Sequence, residues 1–180
     1  MPVSSLADRL VALVDGGTPR VEFGRLTLDV PAAGWVAAAT AARDDPGTDL
    51  SCFDWLSAVD ELDSGFDVVL SVYSATHRHR ALLRTRVPRS APRLDSLVPV
   101  FAGADWHERE THEMFGIEFT GHPGLAPLLL PPGFEGHPLR KDFVLAARVA
   151  KEWPGEKEPG GDRPRRRARP LGVPEDWEQP

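Results

Sequence analysis

Cysteine is almost missing: Cys52 is the only one among 180 residues. A lone thiol excludes a disulfide framework, a cysteine-based zinc site and a self-contained iron–sulfur cluster. Long apolar runs are missing as well, and the N-terminus lacks a basic region followed by an apolar one. No segment therefore reads as a membrane span or a secretory leader. The expectation is a soluble, cytoplasmic chain whose membrane role, if any, comes through a partner. There is no excess of positive charge, and the net charge of -6 argues against a general nucleic-acid binder. The glycine loops that cradle phosphates and the nucleophile elbow of hydrolases are also absent.

Metal chemistry is tempting but poorly supported. His107 and His112 stand five residues apart, roughly 140° around an ideal helix, whereas a zincin helix needs the i, i+4 spacing. A di-iron bundle needs Glu-x-x-His, and the residue three before His112 is Arg109. His77 and His79 share a loop with arginines, where solvated histidines are the usual outcome. Glu110 and Glu113 are close enough for acid–base work, but no substrate pocket is recognisable around them. Against these templates the chain reads as a part of something larger.

What the sequence does have is proline and glycine, 18 and 16 respectively, concentrated towards the C-terminus, and a dense stretch from Asp105 to Phe143. That stretch begins as a charged helix. Asp105 and Glu108 have capping-box spacing, and Gly116 supplies a stop. Trp106, Glu110, Glu113, Met114 and Ile117 fall on one helical face. The spacing thus places Glu110 on an apolar stripe, where an unpaired carboxylate is costly. Arg140 or Lys141 is its expected partner, a solvated charged helix being the alternative that spacing leaves open, and Glu110→Gln is expected to do more damage than Glu108→Gln.

The rest of the chain alternates helix and strand. Ser4 or Ser5 caps a first helix that stops at Gly16-Gly17. Val21 to Val30 reads as a strand broken by a tight turn or bulge at Gly24-Arg25. Pro31 opens an alanine-rich helix to about Arg43, and Leu50 to Leu62 reads as strand. Phe66 to Tyr73 and Arg80 to Val87 alternate most clearly and form a hairpin through Ser74 to His79. Pro88 to Pro99 is a connector. This order predicts an α+β fold, a two-layer sandwich of helices on a mainly antiparallel sheet, followed by an extended C-terminal strap. The expected division is a globular domain over 1–120, an extended docking segment over 121–153, and a Pro/Gly/Arg-rich tail over 154–180, disordered in isolation. A helical turn or two is expected within Ala146 to Trp153. Residues 144–180 carry eight basic and seven acidic residues, which leaves -7 on residues 1–143. Trp153, Leu171, Val173 and Trp177 punctuate the tail as apolar anchors. The arginine cluster from Arg163 to Arg169 lies between them.

The dense stretch resembles a known family, the 30 kDa subunit (C-type) of the proton-pumping NADH–quinone oxidoreductase, respiratory complex I. The resemblance rests on Glu108-Arg109-Glu110, then Glu113-Met114-Phe115-Gly116-Ile117, then Gly121-His122-Pro123. After a leucine-proline run it continues through Gly136-His137-Pro138-Leu139-Arg140-Lys141-Asp142-Phe143. Weaker similarity reaches back to Phe66. The Lys151 to Gly155 region is similar to tails of actinobacterial members. In two places the chain departs from the family pattern. Glu113 stands where aspartate is common, and Ala126-Pro127 stand where the family usually has arginine.

The resemblance implies a non-catalytic peripheral-arm component that docks on the quinone-site (D-type) subunit. The B-type subunit would lie nearby, at the cytoplasmic face of the cell membrane. It implies no catalytic, cofactor or metal residues in this chain. FMN, iron–sulfur clusters and quinone would be held by partner subunits that carry electrons from NADH to quinone, coupled to proton translocation. A second reading keeps the fold and changes the machine to a membrane-bound hydrogenase or a divergent partial complex. A third, from another class, is a stand-alone metal enzyme using His77, His79, His107 and His112.

Overall fold

The computed structural model describes residues 3–144. The expected helical turns within Ala146 to Trp153, and the tail over 154–180, lie outside the described residues. Helix α1 spans Val3–Leu13 and is followed by strands β1 (Thr18–Glu22) and β2 (Arg25–Asp29). A 3-10 turn at Ala32–Gly34 leads into α2 (Trp35–Asp44). Then come β3 (Cys52–Asp60), β4 (Phe66–Ser74), β5 (His79–Val87), the short β6 (Arg93–Asp95), α3 (Ala104–Phe115) and β7 (Glu118–Thr120).

The main sheet runs β1-β2-β5-β4-β3. All its pairings are antiparallel except β2 with β5. The period of two that is visible in the sequence sorts its two faces. Phe66, Val68, Leu70 and Val72 of β4 sit in register with Val87, Thr85, Leu83 and Ala81 of β5, and all eight are buried. Leu26 and Leu28 continue this face across β2, and Leu56 and Ala58 across β3. On the helical side α1 lies against β1 and β2, α2 packs against α1, and α3 lies against β3. Each fully buried large apolar side chain here contributes about 1.5–3 kcal/mol. The fold is the expected two-layer α+β sandwich.

The opposite sheet face carries charge in complementary pairs. Arg84 forks onto Asp29 at 2.6 and 2.9 Å, and Arg86 onto Asp67 at 2.5 and 2.8 Å. Cross-strand pairing of this kind lets a sheet face water on one side.

Several expectations change in detail. The interrupted strand of Val21 to Val30 is a hairpin turning at Phe23 and Gly24, both left-handed with φ of 49° and 72°. Ser4 and Ser5 lie inside the first turn of α1 and do not precede it. The connector hides β6, which pairs in parallel with β7. Three-residue strands carry too little alternation to read from sequence.

Candidate docking site on the third helix

Helix α3 does not begin as the capping box predicts. Its N-cap position is Gly103, which makes no side-chain cap, and Asp105 is already helical. The buried face is Ala104, Glu108, Thr111, Met114 and Phe115, so the apolar stripe is rotated from its expected position. Trp106 is 59% exposed. Glu110 is only partly buried, and among the described residues no ion pair joins it to Arg140 or Lys141. Small Ala104 and Thr111 mark the true inner face, whereas the large Trp106 indole, which weights a helical wheel most, faces out.

The carboxylate that goes inside is Glu108, fully buried. It accepts the Ser96 hydroxyl and the Leu97 amide, both at 2.6 Å, and so ties the loop after β6 to the helix. Burial pushes the Glu108 carboxyl above the ordinary carboxylate range, and these two hydrogen bonds only partly offset it.

One stripe of α3, spaced by four residues, holds the chain that follows β7. The Asp105 carbonyl accepts from His122 Nε2 at 3.2 Å, and the Asp105 carboxylate lies 3.1 Å from the same nitrogen. The Gly124 amide donates to His122 Nδ1 at 2.9 Å, which fixes Nε2 as the nitrogen carrying hydrogen. Arg109 donates to the carbonyls of Ala126 and Pro127 at 3.0 and 3.1 Å. Glu113 accepts the amides of Leu128, Leu129 and Leu130 at 3.3, 2.8 and 2.9 Å. Partial burial raises the Glu113 carboxyl, but the three amides and nearby Arg109 outweigh it and hold it below the usual range.

The second Gly-His-Pro closes the other end of the helix. A helix leaves its last four carbonyls without intrahelical partners. Here the His112 carbonyl accepts from the Gly116 amide at 2.7 Å, a left-handed glycine cap with φ of 71°. The Glu113 carbonyl accepts from His137 Nδ1 at 2.9 Å, and the Met114 carbonyl from the Leu139 amide at 3.2 Å. The Phe115 carbonyl accepts from Arg140 Nε at 2.6 Å. Gly116 is needed for space too, because a Cβ there would lie 2.5 Å from both Arg140 Nη2 and His137 Nε2.

The segment is anchored once more, on the sheet. Asp60, buried at the end of β3, accepts the Lys141 amide and the Leu62 amide at 2.8 Å, and both its oxygens accept from Arg89 Nη2. Arg89 and Arg140 both lie over the Phe66 ring, at 5.0 and 5.3 Å. Sequence patterns do not single out Asp60 and Arg89, because the weak alternation before Leu62 carries no signal for them. Residues 121–144 are thus extended but belong to the same compact unit as the sheet.

With its polar groups turned inward, the segment shows apolar side chains outward. Leu129, Phe134, Leu139 and Val144 are exposed, as are Trp106 and the charged ends of Lys141 and Asp142. Gly121, Pro123 and Gly136 shape turns, and Phe143 stacks on Phe134 at 6.0 Å. The four histidines considered for metal binding do not gather at one place, although His77 and His79 stack on each other at 5.4 Å. His77 and His79 reach the Pro46 and Thr48 carbonyls, His107 meets the Leu56 backbone, and His112 donates to Ile117. Among the described residues no group of three or more His, Cys, Asp or Glu is placed to hold a metal. No described helix is long and apolar enough to cross a membrane.

The sequence model of a family described as the respiratory-chain NADH dehydrogenase 30 Kd subunit matches residues 28–149. The chain belongs to this family. The C-type subunit of the NADH-quinone oxidoreductase of Methylobacterium radiotolerans is 40% identical over 151 residues, covering 82% of this chain and 70% of that protein. The corresponding Brucella abortus protein is 43% identical over 130 residues, covering 71% and 63%. Several curated relatives are longer, and this chain spans between 58% and 70% of their length. Two solved structures share the fold. A trypsin-resistant fragment of Nqo5 superposes with a TM-score of 0.59 at 22% identity, covering 69% of this chain and 99% of the fragment. A chain of the membrane-bound sulfane sulfur reductase, an archaeal respiratory membrane complex, gives 0.69 at 20% identity, covering 87% and 98%.

Proposed function

We propose that this 30 kDa-family chain is a non-catalytic peripheral-arm component of an NADH–quinone oxidoreductase. It grips the quinone-site, D-type subunit, with the B-type subunit close by. The observation that carries the reading is the inward-facing clamp. Asp105, Arg109, Glu113, His137 and Arg140 all hold the chain's own strap, which leaves Leu129, Phe134, Leu139 and Val144 presented on a braced backbone. An apolar row held rigid in advance reduces the ordering cost of association. Exposed apolar side chains grouped along one segment suit a subunit interface.

In this reading the signature residues divide into two sets. His137 and Arg140 act within the chain, whereas Leu139, Lys141 and Asp142 meet the neighbour. Electrons travel from NADH through FMN and iron–sulfur clusters of partner subunits to quinone, coupled to proton translocation, and this chain sits at the cytoplasmic face of the membrane. The test is purification of the tagged full-length chain from native membranes, with identification of what accompanies it. The D-type and B-type subunits, together with NADH–quinone electron transfer in the purified material, are the expected result. A hydrogenase catalytic subunit in their place, or the chain alone, would overturn the reading.

A further inference from the structure

The strap is anchored at the end of the sheet where Phe66 pairs with Val87, and the opposite end carries an unassigned surface. Because β2 and β5 run parallel, their starts lie together there. The tip of the β1–β2 hairpin and the loop between β4 and β5 therefore project side by side. Both contain a non-glycine residue held in the left-handed region, Phe23 with φ of 49° and Arg78 with φ of 53°. Phe23 is fully exposed, at 101%. A bulky aromatic that is both left-handed and bare to water gives the isolated fold nothing.

Beside it lies a cleft of about 460 Å³ whose lining includes Gly24, Arg25, Trp55, Arg78, Arg80 and Leu82. Arg80 pairs with Asp54 at 3.5 Å. Among the described residues no ion pair holds Arg25 or Arg78. Three guanidinium groups gathered in a chain of net charge -6 stand against its overall sign. Phenylalanine, tryptophan and arginine together are the composition of an interface centre.

We infer that this end of the sheet is a second docking surface, whose occupant is an acidic segment of another subunit of the same complex. That segment presents carboxylates to Arg25 and Arg78 and an apolar socket to Phe23. The inference rests on the subunit reading above. It makes the chain a bridge, since β5 alone has 9 residues and separates the two surfaces by about 30 Å.

The experiment places a photo-cross-linking amino acid at position 23 of the full-length chain in native membranes. The charge reversals Arg25→Glu and Arg78→Glu are made alongside, with Arg93→Glu as a control on the exposed Arg93–Glu118 pair. The expected result is one cross-linked subunit of the complex, mapped to an acidic segment, and about 10-fold less of that product with the double reversal. The control should cross-link as wild type. A chain that co-purifies with the complex but cross-links to nothing, or only to apolar or basic segments, would overturn the inference and leave the subunit reading intact. So would binding of inorganic phosphate to the cleft without any cross-link. A chain that co-purifies with no oxidoreductase subunit would instead sink the subunit reading itself.

Discussion

The Nε of Arg140 donates to the carbonyl of Phe115 at 2.6 Å, so a residue of the strap completes the end of the helix on which the strap lies. Sequence places the two 25 positions apart, and the fold makes them one cap. The family signature is in this respect a description of the chain's own closure.

Arg140→Ala removes a charge-assisted bond to a helix carbonyl and the second cation over Phe66. It should lower stability by about 1.5–3 kcal/mol and expose the strap. Thermal melting and limited proteolysis between residues 121 and 144 would show both effects. Gly116→Ala should do comparable damage through the same residues, because its Cβ occupies the place of Arg140 and His137.

Glu113 holds the leucine run through three amides. Its carboxyl lies below the ordinary range in the folded chain, so its contribution is fully present above the unfolded value of about 4.3. That contribution is lost as pH falls through the lower folded value. Amide hydrogen exchange at Leu129 and Leu130 should therefore accelerate, relative to the intrinsic rate, as pH drops below about 4. Glu113→Ala, which leaves no acceptor for these amides, should show the fast exchange already at neutral pH and no further change in that window.

Glu108 works with the opposite sign. Burial raises its folded value above the unfolded one, so ionisation costs stability progressively as pH rises from about 4.3 through the folded value. Glu108→Gln keeps an acceptor for the Leu97 amide and should flatten that part of the pH–stability curve. Glu108→Ala leaves the buried Leu97 amide without an acceptor and the Ser96 hydroxyl with only the Val98 amide, and should cost about 1–3 kcal/mol for the orphaned amide. Denaturant titrations across pH would separate the two variants.

The architecture was legible because its strongest signals are local. The alternation of Phe66 to Val72 against Leu83 to Val87, the glycine stop at Gly116 and the turn at Gly24 all follow from backbone chemistry within a few residues. The site was legible as a stretch but not as a geometry. A helical wheel weighted by Trp106 buries Glu110, whereas the inner face is set by Ala104 and Thr111, whose small side chains let the helix approach β3. Glu108 finds its partners in Ser96 and Leu97, twelve and eleven positions back, and no periodicity announces such a contact. Asp60 and Arg89 meet the strap only because β3 and β5 end beside it, a consequence of sheet order that local patterns do not carry.

The strap must be held by α3 before it can hold a neighbour. The most direct measurement compares wild type with the double variant His137→Ala/Arg140→Ala, each tagged and purified from native membranes, with co-purified subunits quantified and folding checked by circular dichroism. The expected result is a sheet that remains folded and roughly a 10-fold or greater loss of associated redox subunits. Undiminished co-purification from a chain whose strap has been shown to be loose would contradict it.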